Sequence, residues 1–218
     1  MTTILQAVSE IINEQKLFTK LKVGSSLYRY RQHEELKIIS TAEQICSPKI
    51  EYVQTPNRMS PAGISMFYCA FDVRTSECEV VNIQDKEKLY YSIAIFNNIE
   101  QLQLIDFTKL PDQPSIFDTK RRNSYYTIRF LHHFVEDLSA PINYNSNNQT
   151  EFVPTQIVTE YIRFMMLNKT PVHGIIYPSS KSKNGKCCIL FFDHETSLKK
   201  LKLVGFPIRY QISNFISP

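Results

Sequence analysis

The 218-residue sequence has no tryptophan and only five glycines, and no two of the glycines stand close together. A GxGxxG turn and a GK[ST] phosphate loop are therefore both absent, which excludes a Rossmann hydride-transfer enzyme and a P-loop ATPase. The five cysteines form no CxxC pair and have no histidines at matching spacing, so neither a zinc site nor a disulfide framework is expected and a reducing cytosol suits the chain. No apolar run approaches membrane-spanning length, and the N-terminus MTTILQAVSEII lacks the basic flank of a signal segment. A cytoplasmic protein that binds no membrane is the expectation. The net charge is only +4, and Lys181, Lys183, Lys186 and Lys199, Lys200, Lys202 read as solvated faces, so direct nucleic-acid binding is not expected.

What is present is an ordinary globular balance, 43% hydrophobic and 21% charged, in a chain long enough to bury one core. Ile4, Leu5, Val8, Ile11, Ile12 and Leu17 recur near helical spacing. They predict one amphipathic helix over residues 2–20, with Thr2 or Thr3 as its cap and Gly24 as its stop. SLYRYRQ reads as a short strand. Over Ile64 to Val73, alternation puts Met66, Tyr68 and Ala70 on one face and Phe67, Cys69 and Phe71 on the other. A helix is expected from about Ser76, strands at Lys88–Phe96 and Leu102–Phe107, and a helix in the second half of Arg121–Leu138. INYNSNNQTE, residues 142–151, reads as a loop, Pro154 and Thr155 open a helix to about Leu167, and HGIIYP and KCCILFF read as strands. Strands interspersed with a few helices predict a single mixed α+β domain.

Chemistry concentrates between Asn57 and Val80. Arg58 precedes the turn Ser60-Pro61-Ala62-Gly63, Tyr68 sits in the apolar run, and Glu79 follows it. Each has a plainer reading. Ser76-Glu77-Cys78-Glu79 matches a capping box, Arg58 could pair with a surface acid, and a tyrosine in an apolar strand is usually core. Ser179 and Ser180 precede a polar loop and could be turn residues. His132 and His133 are adjacent on one helix and point to different sides.

The ordered pieces YRYR, NRMSPAGISMFYCA with SECEV, LIDFTKL with PSIFD, FVPTQIVTEYIR, and GIIYPSS running into CCILFF resemble the RES family. That resemblance covers roughly Ser25 to Asp193. It implies a fold like that of ADP-ribosyltransferases, with residues 1–24 a helix packed on the core and 25–218 the catalytic domain. It also implies an enzyme that cleaves NAD at the nicotinamide-ribose bond as a glycohydrolase or phosphorylase, acting as the toxin of a toxin-antitoxin pair. NAD would then be the substrate, with no cofactor and no metal. Inorganic phosphate and a protein antitoxin are the implied partners, and a homo-oligomer is compatible with the resemblance.

Carried over by position, the catalytic residues fall on Glu79, Arg58 and Ser179 and the substrate-binding residues on Arg29, Tyr30 and Tyr68, with Arg31 the alternative to Arg29. In that chemistry Glu79 would stabilise an oxocarbenium-like ribose, Arg29 and Arg58 would fork onto the pyrophosphate, and Tyr68 and Tyr30 would lie against the cationic nicotinamide. Gln156 is a further candidate for the pocket. An ADP-ribosyltransferase acting on a macromolecule and a non-catalytic interaction module are the alternatives.

Overall fold

The first apolar positions do not form the single helix expected over residues 2–20. In the computed structural model, which describes residues 4–140, 149–167 and 170–214, helix α1 (Ile4–Glu14) stops where Lys16 takes a left-handed φ of 52°. The chain then enters strand β1 (Phe18–Leu21). Phe18 to Leu21 find antiparallel partners on Ile105 to Leu102, and a strand exchanging ladder bonds outcompetes a further turn of helix. Leu17 fits the helical spacing by coincidence. The expected caps Thr2 and Thr3 lie outside the described residues, as do residues 142–148 of the expected loop.

The remaining elements are β2 (Ser26–His33), α2 (Ala42–Ile45), β3 (Phe67–Ala70), α3 (Val73–Val80), β4 (Tyr90–Asn98), β5 (Leu102–Asp106) and α4 (Arg122–Ser139), followed by α5 (Val153–Phe164), the two-residue strands β6 (Met166–Leu167) and β7 (Thr170–Pro171), then β8 (Gly174–Pro178), β9 (Lys186–Leu190), α6 (His194–Lys200) and β10 (Leu201–Gln211). Two of these depart from expectation. Helix α4 is helical throughout rather than in its second half. Helix α3 starts at Val73, because Asp72 caps it by accepting from the Thr75 N–H at 2.8 Å. The capping-box reading of Ser76 and Glu79 is therefore corrected. Ser76 is inside the helix and donates to the Tyr28 carbonyl, and Glu79 lies in the last turn.

Eight strands form one sheet in the order β1-β5-β8-β9-β3-β2-β4-β10, antiparallel except for the β5–β8 pair, and β6–β7 form a separate hairpin. This is a single mixed α+β domain. The sheet divides the core in two. Ile175, Ile189 and Ile105 face α1, α4 and α5, whose Ile12, Ile128, Leu131 and Ile162 cover them. Phe67, Phe96, Leu104, Cys188 and Leu190 face the other way, toward α2 and α6. At about 25 cal/mol per Å² of apolar area removed from water, each large core side chain contributes roughly 1.5–3 kcal/mol.

The sheet centre tolerates no added bulk at Gly174. A Cβ there would sit 2.1 Å from the Ile189 carbonyl oxygen on β9. That atom is backbone in a paired strand, so the β8–β9 ladder itself must move. Gly174→Ala is expected to lower stability by about 1–3 kcal/mol, read as a shifted denaturation midpoint. An unchanged midpoint would mean that the two strands separate freely at this point.

Candidate active site

A cavity of about 420 Å³ opens on the face of the sheet that carries α3 and α4, between the last turns of those two helices. Its size suits a small-molecule site. Strands supply the floor. Ala70 and Cys187 are directly paired across β3 and β9, and two small side chains at one cross-strand position leave the space open. Tyr30, Tyr68 and Tyr177 line it from β2, β3 and β8, and Arg58, Glu79 and Lys181 give it charge.

Glu79 reaches the cavity from the C-terminal turn of α3. Its Oε1 accepts from Ser179 Oγ at 2.5 Å, and its backbone carbonyl accepts from Lys181 Nζ at 3.1 Å. Ser179 is fixed in turn, since its Oγ accepts the N–H groups of Lys181 and Ser182 at 3.2 and 3.0 Å. Thr75 Oγ1 donates to Ser182 Oγ at 3.2 Å, which ties the β8–β9 hairpin to α3 a second time. The hydroxyl of Ser179 is thus committed to orienting a carboxylate. The neighbouring Glu77 takes no part in the cavity wall, because its Oε1 accepts from the Tyr91 hydroxyl at 2.8 Å and its Oε2 lies 3.6 Å from Arg74.

Arg58 arrives on the opposite wall from the loop before β3. Its guanidinium donates to the Asp137 carbonyl in α4 and lies 5.3 Å over the Phe152 ring. Burial pulls its pKa below the usual arginine value, while Asp137 acts the other way. The loop itself is held by α5, where Thr155 Oγ1 donates to the Arg58 carbonyl at 2.5 Å and Gln156 Nε2 to the Asn57 carbonyl at 2.8 Å. Gln156 therefore stands behind the cavity as a brace for the loop.

The tyrosine hydroxyls are neutral near pH 7. Burial pushes Tyr68 up to about 12, and its hydroxyl pairs with Ser60 Oγ at 3.0 Å. Burial raises Tyr30 and Tyr177 as well, and Cys187 for the same reason and by the proximity of Glu79.

Arg29 is placed away from the cavity. Successive side chains of β2 point to opposite faces, so Tyr30 on the cavity side puts Arg29 and Arg31 on the other. The Arg29 guanidinium donates to the carbonyls of Ile45 (2.5 Å), Tyr68 (2.6 Å) and Cys46 (3.2 Å) and packs 4.9 Å over Phe67. Desolvation lowers its pKa to about 10, which still leaves a cation at neutral pH. Arg31 donates to the Gln44 carbonyl at 2.6 Å. Both arginines clamp the segment around α2 to the sheet. His132 and His133 also stand elsewhere, His132 on the Pro111 carbonyl and His133 beside Glu136.

Three lining residues are not among the site candidates. Lys181 looks like a solvated loop lysine, and Tyr177 and Cys187, although they lie in GIIYPSS and CCILFF, look like core and like any strand cysteine. Only the hairpin pairing of Tyr177 with Cys187 and the closeness of Lys181 to α3 bring them together.

The two arginines separate in a simple comparison. Lysine cannot serve three carbonyls in a planar fork, so Arg29→Lys is expected to cost about 2 kcal/mol or more in urea denaturation. Arg58→Lys should cost less than about 1 kcal/mol, because the lost bond lies at a partly exposed wall. Equal stability losses would remove the distinction between a brace and a cavity cation.

A comparison with protein-family models matches residues 27–212 to the RES domain, from the start of β2 to just beyond the end of β10. The comparison with curated proteins gave no match. The family match takes in both cavity walls, the α3 carboxylate and the β8–β9 hairpin, and it spans most of the chain. The chain belongs to the RES domain family, which is associated with NAD-related toxin activity in toxin-antitoxin systems.

Proposed function

We propose that this protein is an NAD-degrading enzyme that cleaves the nicotinamide-ribose bond, with water or inorganic phosphate as acceptor. The observation that carries this reading is the Glu79 carboxylate, held by Ser179 in a cavity with a guanidinium on the facing wall and three tyrosine rings around it. Departure of neutral nicotinamide from a pyridinium leaves positive charge on the ribose, and a fixed carboxylate stabilises that charge as it develops. The C1′–N bond breaks with its electron pair going to the ring nitrogen. The acceptor oxygen then bonds to C1′ and loses its proton to solvent. The nicotinamide ring lies against Tyr30 and Tyr68.

Arg58 and Lys181 stand where two cations from different walls can take the pyrophosphate. This assignment differs from one resting on Arg29 and Arg58, because the Arg29 donors are already engaged with carbonyls. Ser179 serves Glu79 rather than acting as a nucleophile, and no histidine stands next to it in its hydrogen bonds. The likeness to ADP-ribosyltransferases that the family resemblance implies would suit a substrate split at this bond. Activity in a cell would deplete NAD and arrest growth, and a cognate antitoxin covering the cavity would restrain it.

Purified protein incubated with NAD should release nicotinamide, and product masses with and without phosphate identify the acceptor. Glu79→Gln keeps the shape and a hydrogen-bond acceptor for Ser179 but removes the charge. It should stay folded, still bind NAD, and release nicotinamide at least about a hundredfold more slowly. Ser179→Ala should lower turnover about tenfold, with little change in melting, by freeing the carboxylate. Parental turnover in Glu79→Gln would sink this assignment.

A further inference from the structure

Tyr30 does not stand alone behind the cavity. Its ring stacks on Tyr91 of the neighbouring strand β4, with centroids 5.6 Å apart and planes 24° from parallel. Tyr91 stacks in the same manner on its direct cross-strand partner Tyr210 of β10, at 5.5 Å and 21°. Three adjacent strands therefore carry a row of parallel phenols that begins at the cavity and ends at the partly exposed edge of the sheet. Tyr91 is almost fully buried, and its hydroxyl donates to Glu77 Oε1 at 2.8 Å. Glu77 and Glu79 are two positions apart and so project from different sides of α3, one carboxylate into the cavity and the other to Tyr91, the middle ring of the aromatic row.

We propose that Glu77, Tyr91 and Tyr210 form a polarised stack behind Tyr30 that makes the cavity selective for a positively charged aromatic ring, the oxidised pyridinium of the dinucleotide. The proposal rests on the NAD reading above and specifies which redox form of that substrate is taken. A phenol that donates to a carboxylate carries more negative charge on its ring, and a cation over a π face is attracted by that charge. Parallel stacking on Tyr91 and Tyr210 also holds Tyr30 at a fixed angle, so little rotamer freedom is lost when a ligand arrives. The dihydropyridine of the reduced dinucleotide and the nicotinamide product are both neutral and gain none of this attraction. The stack thus favours substrate over product and over the reduced form. Because the attraction is to a ring charge that is lost as the bond breaks, it stabilises the bound substrate and is not carried fully into the transition state. Glu77, Tyr91 and Tyr210 are positioning residues that act through Tyr30.

Two small probes isolate the effect of ring charge, 1-methylnicotinamide as the cation and nicotinamide as its neutral counterpart, with binding measured by calorimetry. The parent protein should prefer the cation by about tenfold, within the range of a desolvated cation–π contact. Glu77→Gln keeps an acceptor for the Tyr91 hydroxyl and should reduce that preference at least threefold. It should also raise KM for NAD by a similar factor without lowering kcat, since the attraction lost belongs to the bound substrate and not to the transition state. Tyr210→Leu, on an exposed edge strand, should weaken the preference without unfolding the protein and serves as the second variant. The chain has no tryptophan, so a charge-transfer absorbance on adding 1-methylnicotinamide would report tyrosine directly, and it should shift to shorter wavelength in Glu77→Gln. The proposal is overturned if the parent binds both probes equally, or if both variants leave the preference and KM unchanged, while NAD is still cleaved. Failure to release nicotinamide from NAD at all would instead remove the enzymatic reading on which it stands.

Discussion

A strand can send consecutive side chains only to opposite faces, and the centre of this sheet is built from β8, β9, β3 and β2, all bound by that rule. On one face it collects Tyr30, Tyr68, Ala70, Tyr177 and Cys187, which become the cavity floor and wall. On the other it collects Arg29, Phe67, Cys188 and Leu190, which meet α2 and α6. The two sets cannot be exchanged without reversing every strand. Arg29 links them, because one of its three acceptors is the carbonyl of Tyr68, a residue whose ring faces the cavity. The brace on the far face therefore fixes the backbone from which the aromatic wall is hung.

The position of Glu79 makes poor sense as a stability device. The last turn of a helix presents unpaired carbonyls and the negative end of the macrodipole, so a carboxylate there is disfavoured by a few tenths to about 1 kcal/mol. Lys181 and the hydroxyl of Ser179 offset this, yet both come from a hairpin about a hundred residues away. Asp72, at the other end of the same helix, occupies the favourable site and caps it. One short helix thus carries one carboxylate placed for folding and one placed at a local cost, which is the pattern expected of a site residue.

How far the sequence could be read follows from what its patterns encode. Alternation in SLYRYRQ and in the Ile64–Val73 run separates Arg29 from Tyr30 and Phe67 from Tyr68, and the strands are where that alternation puts them. Period two does not say which face will hold a cavity, and so Arg29 reads as readily as a phosphate ligand as a brace. Glu79 is legible as a carboxylate of interest, but Ser76-Glu77-Cys78-Glu79 also matches a capping box, and only the structure shows that Asp72 is the cap of this helix. Lys181 had no signal because its lysine-rich turn resembles any solvated loop, and only pairing of β8 with β9 brings it against α3. In β10, Gly205 and Pro207 interrupt the strand pattern near a register shift, so its apolar residues mark no element until β4 supplies the partner.

The proposed reaction also accounts for what the cavity wall omits. Among its described lining residues Glu79 is the one carboxylate and there is no histidine. Most hydrolytic sites need an acid for the leaving group and a base for the nucleophile. A pyridinium needs neither at the first step, since its departure already yields a neutral base and the difficulty lies in the cation left behind. One oriented carboxylate, cations for the phosphates and aromatic faces for the ring then meet the demand. The tyrosine hydroxyls, raised by burial, stay protonated across neutral pH and contribute ring faces and hydrogen bonds without adding charge. Under the proposed reaction the substrate carries its own activation, and a single oriented carboxylate is all the negative charge that the first step asks of the wall.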